Sequence, residues 1–209
     1  MTKLLDSKCK KCRREGAKLF LKGDRCSTPK CAIVKRNYPP GVHGPKGKKR
    51  STEYGGQLRE KQKAKRIYGL AERQFRNYYY KAIKQKGDTG QIMQQLLQLR
   101  LDNVIYQSGL AKSRAQARQM ITHGLFYVNN KKVNIPSFQV KSKDEITVKP
   151  SKTQAKPFAE LDKKINLEKI PSWIHLDLKN VAVKILQRPE GSDLDLSYNP
   201  RLIVEFYSK

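Results

Sequence analysis

Apolar positions along the chain fall into two regimes. Residues 1–50 hold few of them and no repeat; Gly, Pro and Lys dominate, and an irregular, turn-rich segment is expected. Regular spacing begins at residues 57–68, Gln-Leu-Arg-Glu-Lys-Gln-Lys-Ala-Lys-Arg-Ile-Tyr, which are good helix formers throughout. Leu58, Ala64, Ile67 and Tyr68 are the positions to bury there, and Gly69 predicts the stop. Over 71–86, Phe75, Tyr78, Tyr79, Ala82 and Ile83 recur at helical spacing, with Arg73 and Arg76 beside the stripe. Of the three tyrosines 78–80, two are expected in the core and one at the surface; stacking on bases is the sharper alternative. After a turn at Gly87–Gly90, Ile92, Met93, Leu96, Leu97, Leu101, Val104 and Ile105 continue the spacing as a buried helix or helix pair.

Residues 100–148 carry the sharpest local signals. Arg100–Leu110 predicts a helix stopped at Gly109, and Ser113–Gly124 a second. Ser113 and Gln116 fit a capping box, the hydroxyl accepting from the amide three residues on and the glutamine reaching back. Gly124 suits the left-handed residue after a helix end. Ala117, Met120 and Ile121 form the buried stripe, while Arg114 and Arg118, four apart, share another face. The start of this helix also offers amide groups to phosphate. Phe126–Val128, Asn129–Asn130 and Lys131–Ile135 read as a hairpin, because Asn tolerates positive φ. Lys143–Glu145 turns the chain into a strand at Ile146–Val148. Two helices with a basic face packed on a small sheet would make a compact RNA reader without a catalytic cleft. Beyond residue 150, a helix is expected near 156–166, then Trp173–Leu176 and an alternating strand through Val181, Val183 and Ile185. His43 and His175 are expected to be structural.

Charge changes the picture from a small α+β protein to a polyanion binder. The chain has 45 Lys and Arg against 18 Asp and Glu, a formal net charge of +27. Residues 1–50 hold 16 cations and 3 acids, whereas residues 151–209 hold 10 and 8. Such an excess repels itself in a compact free protein and makes sense beside phosphates, where it releases counterions. No stretch approaches the ~20 apolar residues of a membrane span, so no membrane partner is expected.

The four cysteines concentrate the chemistry. They read Cys9-x₂-Cys12-x₁₃-Cys26-x₄-Cys31, two close pairs separated by a loop, which is the spacing of a four-thiolate metal site. Lys10, Lys11, Arg13, Arg14 and Arg25 lie among them, and their charge is expected to lower the thiol pKa. Zinc is the first choice and an iron–sulfur cluster the minor one. Disulfides or free thiols are the plain alternative, and the start of the chain lacks the apolar run of a secretory signal.

These motifs, in this order, resemble the universal small-subunit ribosomal protein four family in its bacterial, four-cysteine form. Cys9-x₂-Cys12-Arg13-Arg14-Glu15-Gly16 with Leu21-Lys22-Gly23 is similar to the family's zinc-binding amino-terminal part. So are Tyr38-Pro-Pro-Gly41 with His43-Gly44, Leu58-Arg-Glu-Lys-Gln62, Tyr68-Gly69 and Arg73-Gln-Phe-Arg76. Residues 100–148 resemble the RNA-binding domain that the family shares with several RNA-modifying enzymes, and Leu202–Ser208 resembles its terminal strand. Asn129-Asn130 stands where Asn-Gly is common, and Asn199-Pro200-Arg201 replaces the common Asn-Glu-Gln.

The expected fold is α+β. It comprises a basic zinc-knuckle segment and extended loop (1–50), a helical region (51–99), an inserted RNA-binding domain of two helices and a small sheet (100–149), and a carboxy-terminal helix and strands packing back on the helical region (150–209). The resemblance implies a structural component of the small ribosomal subunit in the bacterial cytoplasm, not an enzyme. It implies primary binding of small-subunit ribosomal RNA at a multi-helix junction, nucleation of assembly, and neighbouring small-subunit proteins as partners, with no small-molecule substrate. Phosphates and 2′-hydroxyls should carry recognition. The residues expected to do so are Lys10, Lys11, Arg13, Arg14, Arg25, Arg36, Arg59, Lys61, Arg73, Arg76, Ser113, Arg114, Gln116 and Arg118. Lys46, Lys48, Lys49 and Arg50 are the candidates for touching messenger RNA where it enters the subunit. The rival readings are an RNA-modifying enzyme, for which no Walker loop, Rossmann glycine signature or HExxH is present, and a regulatory RNA- or DNA-binding protein.

Overall fold

The computed structural model describes residues 7–46, 52–152, 158, 170–178 and 180–208. These residues form two compact units, one of 1–93 with 196–209 and one of 94–195. The expected helix at 156–166 and the basic residues Lys48, Lys49 and Arg50 lie outside the described residues.

The first unit is helical. Its amino-terminal head is more ordered than an irregular segment: α1 spans Lys8–Glu15, and α2 is a single turn, Ala32–Lys35. Gly16, at φ 70°, stops α1 in the left-handed conformation. A tight turn at Gly23–Cys26 lies between the helices, and another at Gly44–Lys46 follows α2. Gly44 is required by space, since a Cβ there would stand 1.9 Å from the Pro39 carbonyl oxygen.

Helix α3, Glu53–Ile67, starts four residues before the predicted 57 because Thr52 caps it, its hydroxyl accepting from the Gly55 amide at 3.1 Å. It buries Gln57, Lys61, Ala64 and Ile67, and Leu58 is only half-buried. Helix α4, Glu72–Ile83, buries Phe75, Tyr78, Tyr79 and Ala82 as its spacing predicts. Ile83 departs from the stripe and is 50 % exposed; Tyr80 is the surface member of the three tyrosines. Helix α5 covers Thr89–Gln98, and the boundary between the units falls inside it.

The segment Leu202–Ser208 is not a strand. Pro200–Ser208 forms helix α8. The Asn199 side chain accepts from the Arg201 amide at 3.0 Å, and Pro200 occupies the first helical position, where its missing N–H costs nothing. Leu202, Ile203, Phe206 and Tyr207 then fall on one helical face, with Ile203 buried. That face meets α3 and α4 through Tyr54–Phe206, Phe75–Tyr207 and Tyr79–Tyr207, with ring centroids 5.5, 6.4 and 4.9 Å apart. The resemblance implied a strand here; the period of burial decided for a helix.

The second unit packs α6, Leu101–Gln107, and α7, Arg114–Thr122, on a five-stranded antiparallel sheet. The strands are β1 Phe126–Val128, β2 Lys131–Val133, β3 Glu145–Val148, β4 Ile174–Asp177 and β5 Ala182–Ile185, in the order β2-β1-β3-β5-β4. Asn129 and Asn130, at φ 48° and 64°, make the turn between β1 and β2 that the asparagine pair predicts. Ile146 pairs with Val128 on one side and Val183 on the other, so β5 continues the sheet begun by the hairpin. Strands β4 and β5 therefore belong to this unit, and of residues 150–209 only the segment from Leu196 onward belongs with the helices. The core gathers Leu101, Ile105, Ile121, Phe126, Ile146, Trp173 and Ile185, each at most 0 % exposed, and Phe158 packs edge-on against Phe126 at 6.2 Å.

Candidate RNA interface and cysteine pocket

The x₂ spacing puts Cys9 and Cys12 on successive turns of α1, while Cys26 ends a tight turn and Cys31 precedes α2. All four are free thiols and line one pocket with Leu21, Lys22, Arg25, Ala32 and Ile33. Backbone amides reach two of the sulfurs: Leu19 to Cys12, and Lys22 to Cys26 at 3.4 Å. The flanking cations do not govern Cys12, contrary to expectation. Burial pushes its thiol pKa up, the Leu19 amide opposes that, and Cys26, Cys9 and Cys31 add to the rise. As placed, and among the described residues, no group of three or more His, Cys, Asp or Glu is arranged to hold a metal ion. His43 is exposed and stands outside the pocket.

The head's cations divide into two groups. Lys10, Arg14, Arg25, Arg36 and Lys46 are exposed, and Lys11 is half-buried. Arg13 is committed within the fold. Its Nε donates to the Tyr38 carbonyl at 3.0 Å and an Nη to that of Pro39 at 3.2 Å, and its guanidinium lies 4.7 Å over the Tyr38 ring. Arg13 thus ties the Tyr-Pro-Pro-Gly loop to α1. Arg59 is also engaged, 3.5 Å from the Glu15 carboxylate, which is 1 % exposed and closely held by Arg66 as well. Glu15 and Arg66 are not among the residues expected to act; the signal for them is a lone acid at the end of a basic helix.

Lys61 is not available to RNA. It is 5 % exposed, its Nζ is 2.7 Å from Glu72, and it lies 4.3 Å over the Phe206 ring. Lys65 holds the other Glu72 oxygen at 2.7 Å, and the Tyr207 hydroxyl donates to Glu72 at 2.7 Å. Burial would raise the Glu72 carboxyl, but the bonds from Lys61, Lys65 and Tyr207 outweigh it and bring the pKa down to about 2. The Tyr207 phenol moves the other way, raised by burial and then by Glu72. Arg73 and Arg76 on α4 stay exposed, with Arg76 5.3 Å over the Tyr80 ring.

On α7 the Ser113 hydroxyl accepts from the Gln116 amide at 3.3 Å, as the capping box requires. Gln116 reaches one residue further back than expected, to the Lys112 amide at 2.9 Å. Ser113 is 8 % exposed and therefore acts as a cap more than as a contact. Arg114 and Arg118 are half-buried and held by consecutive residues of α6. Arg118 donates to one Asp102 oxygen through Nε at 3.1 Å and Nη2 at 2.5 Å. Asp102, 1 % exposed, also receives Arg100 on both oxygens, at 3.0 and 2.9 Å. Arg114 donates from Nε to Asn103 at 2.7 Å and lies 4.5 Å over the Tyr106 ring. The helix pair thus displays cations on supports that a pattern of basic residues does not reveal. No helix among the described residues is long and apolar enough to cross a membrane.

Comparison with known proteins gives this arrangement its context. Residues 3–98 match the family described as ribosomal protein S4/S9 N-terminal domain, and residues 99–146 match the S4 domain. The chain is 49 % identical over 212 residues to small ribosomal subunit protein uS4A of Clostridium novyi, covering 100 % of both chains. It is 49 % identical over 209 residues to small ribosomal subunit protein uS4 of Clostridium tetani and to that of Clostridioides difficile, again over 100 % of each chain.

Proposed function

The chain belongs to the small ribosomal subunit protein uS4 family, and from that premise we propose how a structural protein of this kind holds its RNA. It is a component of the small ribosomal subunit in the bacterial cytoplasm, not an enzyme. Its partners are ribosomal RNA and other proteins of the subunit. In this proposal exposed cations on two surfaces and a half-buried one on a third bind phosphates of small-subunit RNA at a multi-helix junction and help nucleate assembly. Those surfaces are the head with Lys10, Arg14, Arg25 and Arg36, helix α4 with Arg73 and Arg76, and the start of α7 with Arg114. The observation that carries it is that Lys10 and Arg14 on α1, Arg73 and Arg76 on α4 and Arg114 on α7 ride on helices whose other faces are fixed by buried side chains, while Arg25 stands in the turn that buries Cys26 and Arg36 follows α2. A rigid display of charge fits RNA, whose deep major groove leaves phosphates and 2′-hydroxyls as the readable surface.

The test is the salt dependence of binding to small-subunit RNA. Arg73→Ala with Arg76→Ala should lower the slope of log affinity against log salt by about two or slightly less, one unit per lost phosphate contact. An unchanged slope removes α4 from the interface. Sedimentation with small subunits at high salt tests the assembly role as a whole.

Cys9, Cys12, Cys26 and Cys31 are the residues that would hold a zinc ion. Support comes from four thiols around one pocket and from the amides directed at two of them. The ion would supply a cross-link where apolar burial is scarce. Metal analysis under reducing conditions should return one zinc per chain; visible absorbance from bound iron and sulfide would give the site to a cluster instead. The messenger-facing role rests on exposed Lys46 together with Lys48, Lys49 and Arg50, and crosslinking to messenger in programmed subunits tests it.

A further inference from the structure

We propose that Tyr106 is a positioning residue for RNA binding, holding the Arg114 guanidinium in one orientation toward an RNA phosphate; this rests on the reading of Arg114 as an RNA contact. The guanidinium is fixed on a face and on an edge. Its carbon stands 4.5 Å from the Tyr106 ring centroid, and its Nε donates to the Asn103 side chain at 2.7 Å. Asn103 is itself fully buried and anchored, donating to the Gln98 carbonyl and to Gln107 Oε1, both at 2.9 Å. Its oxygen is therefore turned toward Arg114 by bonds made on the amide side. The Ser113 cap sets the backbone one residue earlier. A planar cation stacked and bonded in this way surrenders its rotamer freedom on folding, so that less remains to be lost when a phosphate arrives.

Arg118, four residues on, is built differently. It answers the buried Asp102 carboxylate that also takes Arg100, so its charge is chiefly part of the fold. Adjacent residues of α6 thus separate two arginines that the sequence presents as equivalent. Asp102 makes Arg118 structural, and Asn103 with Tyr106 makes Arg114 a prepared contact.

The experiment is a double-mutant cycle on the full-length protein, read as affinity for transcribed small-subunit RNA at one salt concentration. Tyr106→Leu keeps apolar bulk but removes the ring face; it should weaken binding by about 2- to 5-fold, the range for an exposed cation–π contact. Tyr106→Phe should restore affinity. In an Arg114→Ala background Tyr106→Leu should have no further effect, because a residue acting through Arg114 is silent once Arg114 is gone. Equal losses in both backgrounds, or Tyr106→Phe as weak as Tyr106→Leu, overturn the positioning role. An Arg114→Ala protein with full affinity overturns the underlying contact instead, and the proposal with it. Should Tyr106→Leu fail to fold, Arg114→Lys serves, since it keeps the charge but not the planar stack: wild-type affinity from that variant overturns the proposal, and a loss approaching that of Arg114→Ala supports it.

Discussion

The amino-terminal head and the sheet unit are held together by opposite means. In residues 94–195 a continuous cluster, with Phe126, Ile146 and Trp173 at its centre, excludes water from both helices and from the inner face of the sheet. In residues 7–46 the buried hydrophobic side chains are three cysteines and Leu19. The head relies on specific bonds: Arg13 tying the 38–40 loop, Glu15 held by Arg59 and Arg66, and four thiols around one pocket. Where composition denies a region its apolar core, order depends on a few discrete links, and each weighs more than any one contact in a packed interior.

The largest expected effect is on the head. If zinc occupies the cysteine pocket, stripping it or making Cys12→Ser withdraws binding free energy of order 10 kcal/mol that is also folding free energy. Amide-exchange protection should vanish across 7–46 and persist across 94–195. Retained protection in the head would show that the arginine and glutamate links suffice alone. Next in size, Phe126→Ala should cost the sheet unit about 3–5 kcal/mol through the cavity it leaves, seen as a lower denaturation midpoint with head protection unchanged.

Arg118→Ala comes third. It leaves the buried Asp102 with one guanidinium and should cost about 1–3 kcal/mol, below the full penalty for an orphaned charge because Arg100 remains and the Arg118 side chain is 26 % exposed. Arg114→Ala should cost less stability, under ~1 kcal/mol, in the same denaturation series, since it removes a hydrogen bond without stranding a buried charge. Equal costs would erase the distinction between the two arginines.

The smallest effect is on acidification. The Glu72 carboxyl has a folded pKa of about 2, below the ordinary value, so its contribution is whole above about pH 4.3 and is lost as pH falls through about 2. The carboxylate side chain is 44 % exposed, and solvent screening keeps the change small. Titration of Glu72 by NMR should give a midpoint near 2, and Glu72→Gln should flatten the stability profile of the helical unit between pH 4 and 2. A midpoint near 4.3 would show that the Lys61 and Lys65 bonds are not maintained.

Much of this fold was legible in the residues because local and tertiary preferences coincide. The α4 stripe, the Ser113 cap, Gly124 and the asparagine turn each state a backbone geometry that packing then accepts. Failures came where distant partners decide. Lys61 reads as solvent charge until Glu72 and the α8 aromatics close over it. For Leu202–Ser208 the resemblance implied a strand, but its apolar period is helical and finds α3. Helix α1 is obscured because its i, i+3 pair is cysteine, not aliphatic. The site followed the same rule: basic residues were easy to name, but the division between Arg114 and Arg118 depends on Asp102, Asn103 and Tyr106, and no spacing of cations announces it.

The helical unit is assembled from segments that precede and follow the sheet unit in sequence, with α8 closing over α3 and α4. The sheet unit, by contrast, is contiguous in sequence, with all its strands within 94–195. Helices α3 and α4 must wait, with Phe75, Tyr79 and the Lys61 cation uncovered, until Pro200–Ser208 is made. The core of the helical unit is therefore completed by residues more than a hundred positions away along the chain, and its closure is a long-range event where that of the α6–α7 pair is local.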